Sequence, residues 1–302
     1  MKVKDGIIGL IVGDALGVPV EFKSGLELKE NPVNKMRGYG TYNQPAGTWS
    51  DDSAMTLATM DSIVEKNGID YEDIMDKFAD WLYNARYMQG NYTFDCGITT
   101  GTAIENYINS TPALECGLDG ERDNGNGSLM RILPLAYIKN INYEIIENVS
   151  ALTHAHERSK IACVLYTEIA RSMIKNEDLS IEKHVKNANS KIKKYYKDSP
   201  ELIHFKKIFN NDLDDINGKG YVIYTFECVI HCLITTNSYR DAVLKAINIG
   251  GDTDTNAAIC GGLAGIYYGF DSIPIDWIDE IDKINKVLSL CEKYEVYCDE
   301  YQ

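Results

Sequence analysis

Two short acidic segments carry residues of the type and spacing that hold a hard cation. Gly47-Thr48-Trp49 runs into Ser50, Asp51 and Asp52, and Gly250-Gly251 runs into Asp252, Asp254 and Thr255. Each segment supplies two carboxylates and a hydroxyl with no Cys or His beside them, and oxygen-only donor sets suit Mg²⁺, Mn²⁺ or Ca²⁺. If folding brought the segments together, four Asp around two ions about 4 Å apart would make a binuclear centre. Helix capping competes with that reading, because both segments directly precede an apolar helical pattern. Ser, Thr and Asp at a helix start accept hydrogen bonds from unpaired amides and favour the positive end of the dipole. Capping needs only one such side chain, however, and does not require the two segments to meet.

Other candidates are weaker taken singly. Glu21 ends the segment Gly13-Asp14-Ala15-Leu16-Gly17-Val18-Pro19-Val20 and would alone be an ordinary surface Glu. The loop Asn124-Gly125-Asn126-Gly127-Ser128, followed by Leu129-Met130-Arg131, offers amides at an expected helix N-terminus, a place that holds phosphate without a Lys. A plain turn explains it equally well. The loop matches neither G-x-x-x-x-G-K-S/T nor G-x-G-x-x-G, so nucleotide-binding folds of those types gain no support. Thr153-His154-Ala155-His156-Glu157 contains H-x-H rather than H-E-x-x-H, and its imidazoles read as polar contacts. The 8 Cys include no C-x-x-C pair and read as free thiols.

The elements that must position these residues are helical. Apolar residues recur at three and four in Ile161, Val164, Leu165, Ile169 and Met173, and again in Val222, Phe226, Val229, Ile230 and Leu233. Similar patterns predict helices over 51–66, 70–88, 99–109, 128–139, 143–153, 238–249, 253–269 and 275–290, with loops at 23–50 and 110–127. Gly9, Gly13 and Gly17, and Gly261, Gly265 and Gly269, recur every fourth residue and would line helix faces that pack closely. Residues 175–219, rich in Lys, Asn and Asp, predict solvated outer helices. No alternating βαβ rhythm and no linker composition interrupts the chain. The expectation is an all-α fold, one compact domain over residues 1–302.

A chain of 302 residues with 44% apolar and 25% charged residues can bury a sizeable core. Its formal net charge of −15 gives no field that collects phosphate backbones, so neither nucleic acid nor an anionic membrane is an expected partner. The apolar run Ile7 to Val20 is broken by Asp14 and three glycines. It falls short of the ~20 residues of a membrane span, and no small-residue cleavage site follows it. A mature, cytoplasmic, monomeric protein is the expectation.

Together, these motifs resemble the ADP-ribosylglycohydrolase family, metal-dependent hydrolases similar to dinitrogenase reductase-activating glycohydrolase. The resemblance rests on Gly13 to Gly17, Gly47 to Asp52, Phe94-Asp95-Cys96-Gly97, Asn124 to Arg131, Thr153-His154 and Gly250 to Asn256, in family order across nearly the whole chain. It implies an orthogonal helical bundle with two divalent ions, Mg²⁺ or Mn²⁺, in a cleft that takes ADP-ribose. By motif, Ser50, Asp51, Asp52, Asp252, Asp254 and Thr255 look like metal ligands, and Glu21 matches a glutamate that approaches the metals. Asp95 looks like the catalytic acid-base at the ribose, with Asp51 and Asp254 contributing to catalysis through the metals. Gly125, Asn126, Gly127 and Ser128 lie where relatives cradle the diphosphate, His154 where they contact substrate, and Tyr221 where a tyrosine stacks on adenine. Ile98 departs from the pattern, since relatives often carry Asn there.

The activity implied is removal of ADP-ribose from a modified protein side chain. The Thr48-Trp49-Ser50-Asp51-Asp52 form looks like the arginine-directed branch, while serine linkage stays open. The attacking water could be activated by the ions or by Asp95. A two-metal phosphohydrolase and a non-catalytic, crystallin-like ADP-ribose binder are the other readings, and both acidic pairs are intact.

Overall fold

The computed structural model describes residues 2–300, which form fourteen α-helices and no strand. In chain order they are α1 (Val3–Gly17), α2 (Gly25–Glu30), α3 (Asp51–Lys66), α4 (Tyr71–Asn84), α5 (Ile98–Ile108), α6 (Tyr143–Ala151) and α7 (Glu157–Lys175). There follow α8 (Ile181–Tyr195), α9 (Lys206–Asn210), α10 (Val222–Ile234), α11 (Tyr239–Asn248), α12 (Thr253–Tyr268), α13 (Ile275–Asp279) and α14 (Ile284–Glu300). One contiguous apolar core takes in residues from Val3 to Cys298. No helix among the described residues is long and apolar enough to cross a membrane.

Helices α1 and α12 form the axis of the molecule, and their glycines explain how. Residues four apart share a helix face, so Gly9, Gly13 and Gly17 of α1 meet α12 along one line. A Cβ on Gly13 would lie 2.1 Å from the carbonyl oxygen of Ala257, and one on Gly9 would lie 2.3 Å from that of Gly261. The backbones therefore touch, and a Cβ on Gly17 would sit 2.3 Å from the Cα of Asp254. Close approach at Gly17 sets where the acidic start of α12 lies. Helices α7, α10 and α11 pack on α12, while α3 and α14 pack on α1.

Gly13→Ala is expected to destabilise the protein by about 1–3 kcal/mol or more, since overpacking against backbone has no flexible side chain to absorb it. Gly68→Ala, with nothing within 4 Å of its Cβ position, is the control. Urea unfolding of the two variants tests this, and equal midpoints would contradict the close-packing account.

The expected helix boundaries hold where the apolar period runs unbroken and fail where backbone or tertiary contacts intervene. Residues 128–139 do not form an α-helix: turns lead into a short 3₁₀ segment, Leu133–Tyr137, with Pro134 near its start. Arg131 is fully buried in that stretch, donating to the carbonyl of Val149 at 3.1 Å and the hydroxyl of Thr153 at 2.8 Å. The pattern over 275–290 splits into α13 and α14, with Lys283 in the left-handed region between them (φ 61). Likewise α4 stops at Asn84 because Ala85 takes φ 55, which ends a helix.

Candidate active site

Ser50 starts the site. It precedes α3 in extended conformation, and its hydroxyl accepts from the Asp52 amide, so it caps the helix. Behind it, Asp14 of α1 is fully buried and takes hydrogen bonds from four groups. The Ser50 amide and hydroxyl donate to Oδ1 at 3.0 and 2.9 Å, and the Ser53 amide and hydroxyl donate to Oδ2 at 3.0 and 2.5 Å. Burial raises the Asp14 carboxyl to about 6 despite these donors. Both of its oxygens are occupied, so Asp14 positions the start of α3.

The second acidic segment arrives through a two-glycine turn. Gly250 and Gly251 have φ of 84 and 90, open to glycine and strained for other residues. The turn also fixes the Glu21 segment, because Phe22 N–H donates to the Gly251 carbonyl at 2.7 Å and Gly251 N–H donates to that of Lys23 at 2.8 Å. Asp252 stands at the N-cap of α12 yet makes no capping hydrogen bond. Capping therefore accounts for Ser50 and leaves Asp252 unexplained.

The two segments meet. Thr255 Oγ1 donates to Asp52 Oδ2 at 3.3 Å across 203 residues of sequence. One carboxylate oxygen from each of Asp14, Asp52 and Asp254 lies within 4.8 Å of the others, and so does one from each of Glu21, Asp95 and Asp254. Asp254 belongs to both groups. Asp51 and Asp252 belong to neither, although both are buried beside them: Asp51 faces Asp95 and Asp52, and Asp252 Oδ2 accepts from Asn126 Nδ2 at 2.9 Å.

So many buried carboxylates raise one another. Burial first, and then neighbouring carboxylates, push Asp51, Asp52 and Asp254 well above the usual range, while burial also raises Asp252. Burial and the nearby Asp95 charge carry Glu21 up to about 9. Three buried oxygens, Glu21 Oε2, Asp52 Oδ1 and Asp254 Oδ2, have no hydrogen-bond partner. Unpaired buried acceptors are costly, and an all-oxygen set with unused acceptors fits hard divalent cations.

Asp95 stands at the edge of this cluster, half-buried and in the left-handed region (φ 60). Its Oδ1 accepts from the Tyr42 hydroxyl at 2.6 Å, and the carboxylates of Glu21 and Asp254 lie beside it. Ile98 opens α5 three residues on and is 89% exposed, so it does not cover the acid.

On the far side lies the 124–128 loop. Asn126 N–H donates to the Gly220 carbonyl and Val222 N–H to that of Asn124, at 3.1 and 3.0 Å, which brings Tyr221 alongside. A Cβ on Gly127 would lie 2.8 Å from His154 Cε1. His154 is buried against Thr153, and burial with the Arg131 charge lowers it to about 3, so it is a neutral imidazole packed under the loop. Ser128 differs from expectation: its side chain is fully buried and receives the Ser150 hydroxyl at 2.9 Å, so it faces the core and leaves only its amide for a ligand. The amides also do not open an α-helix, since 127–131 is turn. Tyr221 is half-buried, with Arg158 Nη1 donating to its hydroxyl at 3.0 Å and Tyr224 edge-on at 5.0 Å.

Residues 1–301 match the ADP-ribosylglycohydrolase family. The chain belongs to that family. It is 27% identical over 298 residues to ADP-ribosylarginine hydrolase Tri1 of Serratia proteamaculans, covering 97% of this chain and 78% of that protein. It is 28% identical over 282 residues to ADP-ribosyl-[dinitrogen reductase] glycohydrolase of Rhodospirillum rubrum, covering 91% and 88%. Among solved structures, an "ADP-ribosylglycohydrolase-related protein complex" shares the fold at a TM-score of 0.82, with 24% identity over 98% of both chains.

In this ADP-ribosylglycohydrolase, two residues of the candidate site escape sequence reasoning. Asp14 interrupts an apolar helix, and a lone acid in such a run was a usable signal for a buried anchor. Tyr42 lies in a loop with no period, and nothing local points it at Asp95.

The raised carboxyls predict how stability depends on pH. A carboxyl whose folded value exceeds its unfolded value favours the folded state below its ordinary value, and that contribution is lost as pH rises through the folded value. For Glu21 the window runs from 4.5 to about 9. The difference in Tm between Mn²⁺-loaded and EDTA-treated protein is expected to widen as pH rises across it. A difference that shrinks with pH would contradict cation holding by these acids.

Proposed function

We propose that this glycohydrolase removes ADP-ribose from arginine side chains of modified proteins, cleaving the glycosidic bond with two divalent ions, Mg²⁺ or Mn²⁺. The observation that carries the reading is Asp254, shared by two carboxylate groups of which one contains Asp95. In this reading Asp52 and Asp254 hold the ions, with Ser50, Asp51, Asp252, Thr255 and Glu21 completing the oxygen set. The ions supply concentrated positive charge toward the ribose hydroxyls in a cluster that otherwise has only negative charge.

The chain's own residues do the rest. Amides of Gly125, Gly127 and Ser128 line the place for the diphosphate, the Asn126 N–H being taken by the Gly220 carbonyl, and this matters because a protein of −15 repels that group at a distance. The Tyr221 ring beside the loop offers a stacking surface for adenine, and neutral His154 supports the loop from below. The Asp95 carboxylate takes a proton from water while Tyr42 holds it through Oδ1. The water oxygen ends on C1″, the bond to the guanidinium nitrogen breaks, and that nitrogen acquires a proton.

Arginine linkage is favoured by the Thr48-Trp49-Ser50-Asp51-Asp52 form and by a relative named as an ADP-ribosylarginine hydrolase. The test is incubation with arginine- and serine-linked ADP-ribosyl peptides, with and without Mg²⁺ or Mn²⁺, followed by mass analysis. Metal-dependent release of intact ADP-ribose from the arginine peptide is expected. Release from the serine peptide alone would move the linkage, AMP would indicate diphosphate cleavage, and no product with either peptide would leave a binding protein.

A further inference from the structure

A groove of about 800 Å³ lies between the 84–91 loop and the first turns of α14. Its volume is that of a ligand cleft. Trp49, Met88 and Val287 are buried in its floor. Arg86, Lys283, Lys286 and Lys293 line it against a single carboxylate, Asp61, in a chain of formal charge −15. Two of these cations are already used. Arg86 pairs with Asp61 and Asp80, and the Lys283 ammonium donates to the carbonyls of Met88 and Gln89 at 3.1 and 2.7 Å. Lys286 and Lys293 are exposed and make no ion pair among the described residues. They stand two turns apart on one face of α14, while Glu292, Glu295 and Asp299 line a different depression.

The groove is also connected and shaped. It shares Asn84, Ala85 and Asn91 with the depression that contains Asp95. Ala85, Tyr87 and Lys283 adopt φ of 55, 69 and 61 along its walls. Such backbone is strained for residues other than glycine and persists only where the surroundings impose it. Here the Lys283 contacts and the hydrogen bond from Trp49 Nε1 to the Tyr87 carbonyl, at 2.9 Å, hold it. Gln89 ties the same loop to the Trp49 amide at 2.9 Å, one residue before Ser50.

We propose that this groove is an exosite for an acidic segment of the target protein, flanking the modified side chain. The proposal rests on the glycohydrolase reading above. A substrate whose ADP-ribose lies along the 124–128 loop presents its protein portion at Asp95, and the groove begins there. Carboxylates of the segment meet Lys286 and Lys293, and an apolar side chain packs on the half-buried Tyr87 and Leu290 that line the groove. Seven helical residues span roughly 10.5 Å, which a polyproline-II-like peptide covers in about three residues that return to the same face, so the groove selects two acids about three positions apart. Elsewhere the −15 chain repels such a segment.

The test uses a fluorescein-labelled peptide with two Glu three positions apart and a Leu between them, and the same peptide carrying ADP-ribosylarginine at one end. Parent protein is expected to bind the labelled peptide about tenfold more tightly than Lys286→Glu/Lys293→Glu, with the advantage shrinking in 0.5 M NaCl, where the screening length falls well below the roughly 10 Å of 0.1 M salt. The double variant is expected to raise KM for the modified peptide by a similar factor at unchanged kcat, and to hydrolyse free ADP-ribosylarginine like the parent. Glu292→Lys, outside the groove, serves as the charge-change control. Equal peptide affinity for parent and double variant, or an equal loss with free ADP-ribosylarginine, overturns the exosite. Groove-dependent peptide binding without cleavage of any ADP-ribosyl bond would keep the exosite and remove the glycohydrolase reading instead.

Discussion

Asp254→Asn is expected to bind Mn²⁺ at least ~10²-fold more weakly than the parent and to lose turnover with it. Asp254 is the carboxylate common to both acidic groups, so one substitution removes charge from each. The amide keeps the shape, and its oxygen can still accept from the Thr255 N–H that now reaches Oδ1 at 2.9 Å. Metal-free stability should therefore hold or rise, because burial and four neighbouring carboxylates disfavour the native charge. Calorimetric titration with Mn²⁺, beside thermal unfolding in EDTA, separates the two effects. Parent-like turnover at limiting metal would show that the shared position does not hold a cation.

That opposition between metal affinity and apo stability has a structural source. Gly17 lets α1 approach the Asp254 backbone, and α1 also carries Asp14, which holds the Ser50 end of α3. One pair of closely packed helices thus brings together acids that repel one another. Packing along α1 and α12 offsets the repulsion, and the two glycine stripes accordingly run in the helix that carries Asp14 and in the helix that carries Asp254.

The sequence was most legible where local rules and global fold agree. Helix α3 begins at Asp51, directly after a serine cap and with an unbroken apolar period, and α12 begins at Thr253 after two glycines. Legibility failed where contacts distant in sequence decide. Nothing around Arg131 signals that its guanidinium will be buried against Val149 and Thr153, and that anchoring, with Pro134, replaces the expected helix over 128–139. The same holds within the site. The acidic segments, Glu21 and Asp95 stand out by type and motif, whereas the Tyr42–Asp95 and Asn126–Asp252 hydrogen bonds join loops 53 and 126 residues apart. Ser128 shows the limit from the other side: a loop motif identifies the backbone that lines a ligand, not which way each side chain turns.

Asp95→Asn is expected to lower kcat by roughly 10² to 10⁴, the usual contribution of a general acid–base group, with KM and Mn²⁺ affinity near those of the parent. The fold should tolerate it, because Asn accepts left-handed backbone as readily as Asp at φ 60. Ile98, which stands where relatives often carry Asn, is 89% exposed at the start of α5 and so does not bury the acid. What surrounds Asp95 instead is Tyr42 on one oxygen and Glu21 and Asp254 beside it. Proximity to those two carboxylates sets up the decisive alternative. If Asp95 helps to hold a cation, Asn will weaken Mn²⁺ binding and kcat together, and added Mn²⁺ will restore rate. If it moves the proton, kcat will stay low at saturating Mn²⁺. Tyr42→Phe sharpens the distinction: it leaves the carboxylate charge in place and removes only the hydrogen bond at 2.6 Å. A proton-transfer role predicts a smaller loss of kcat in that variant at unchanged metal affinity, because the carboxylate that takes the proton is still present but no longer held in one orientation.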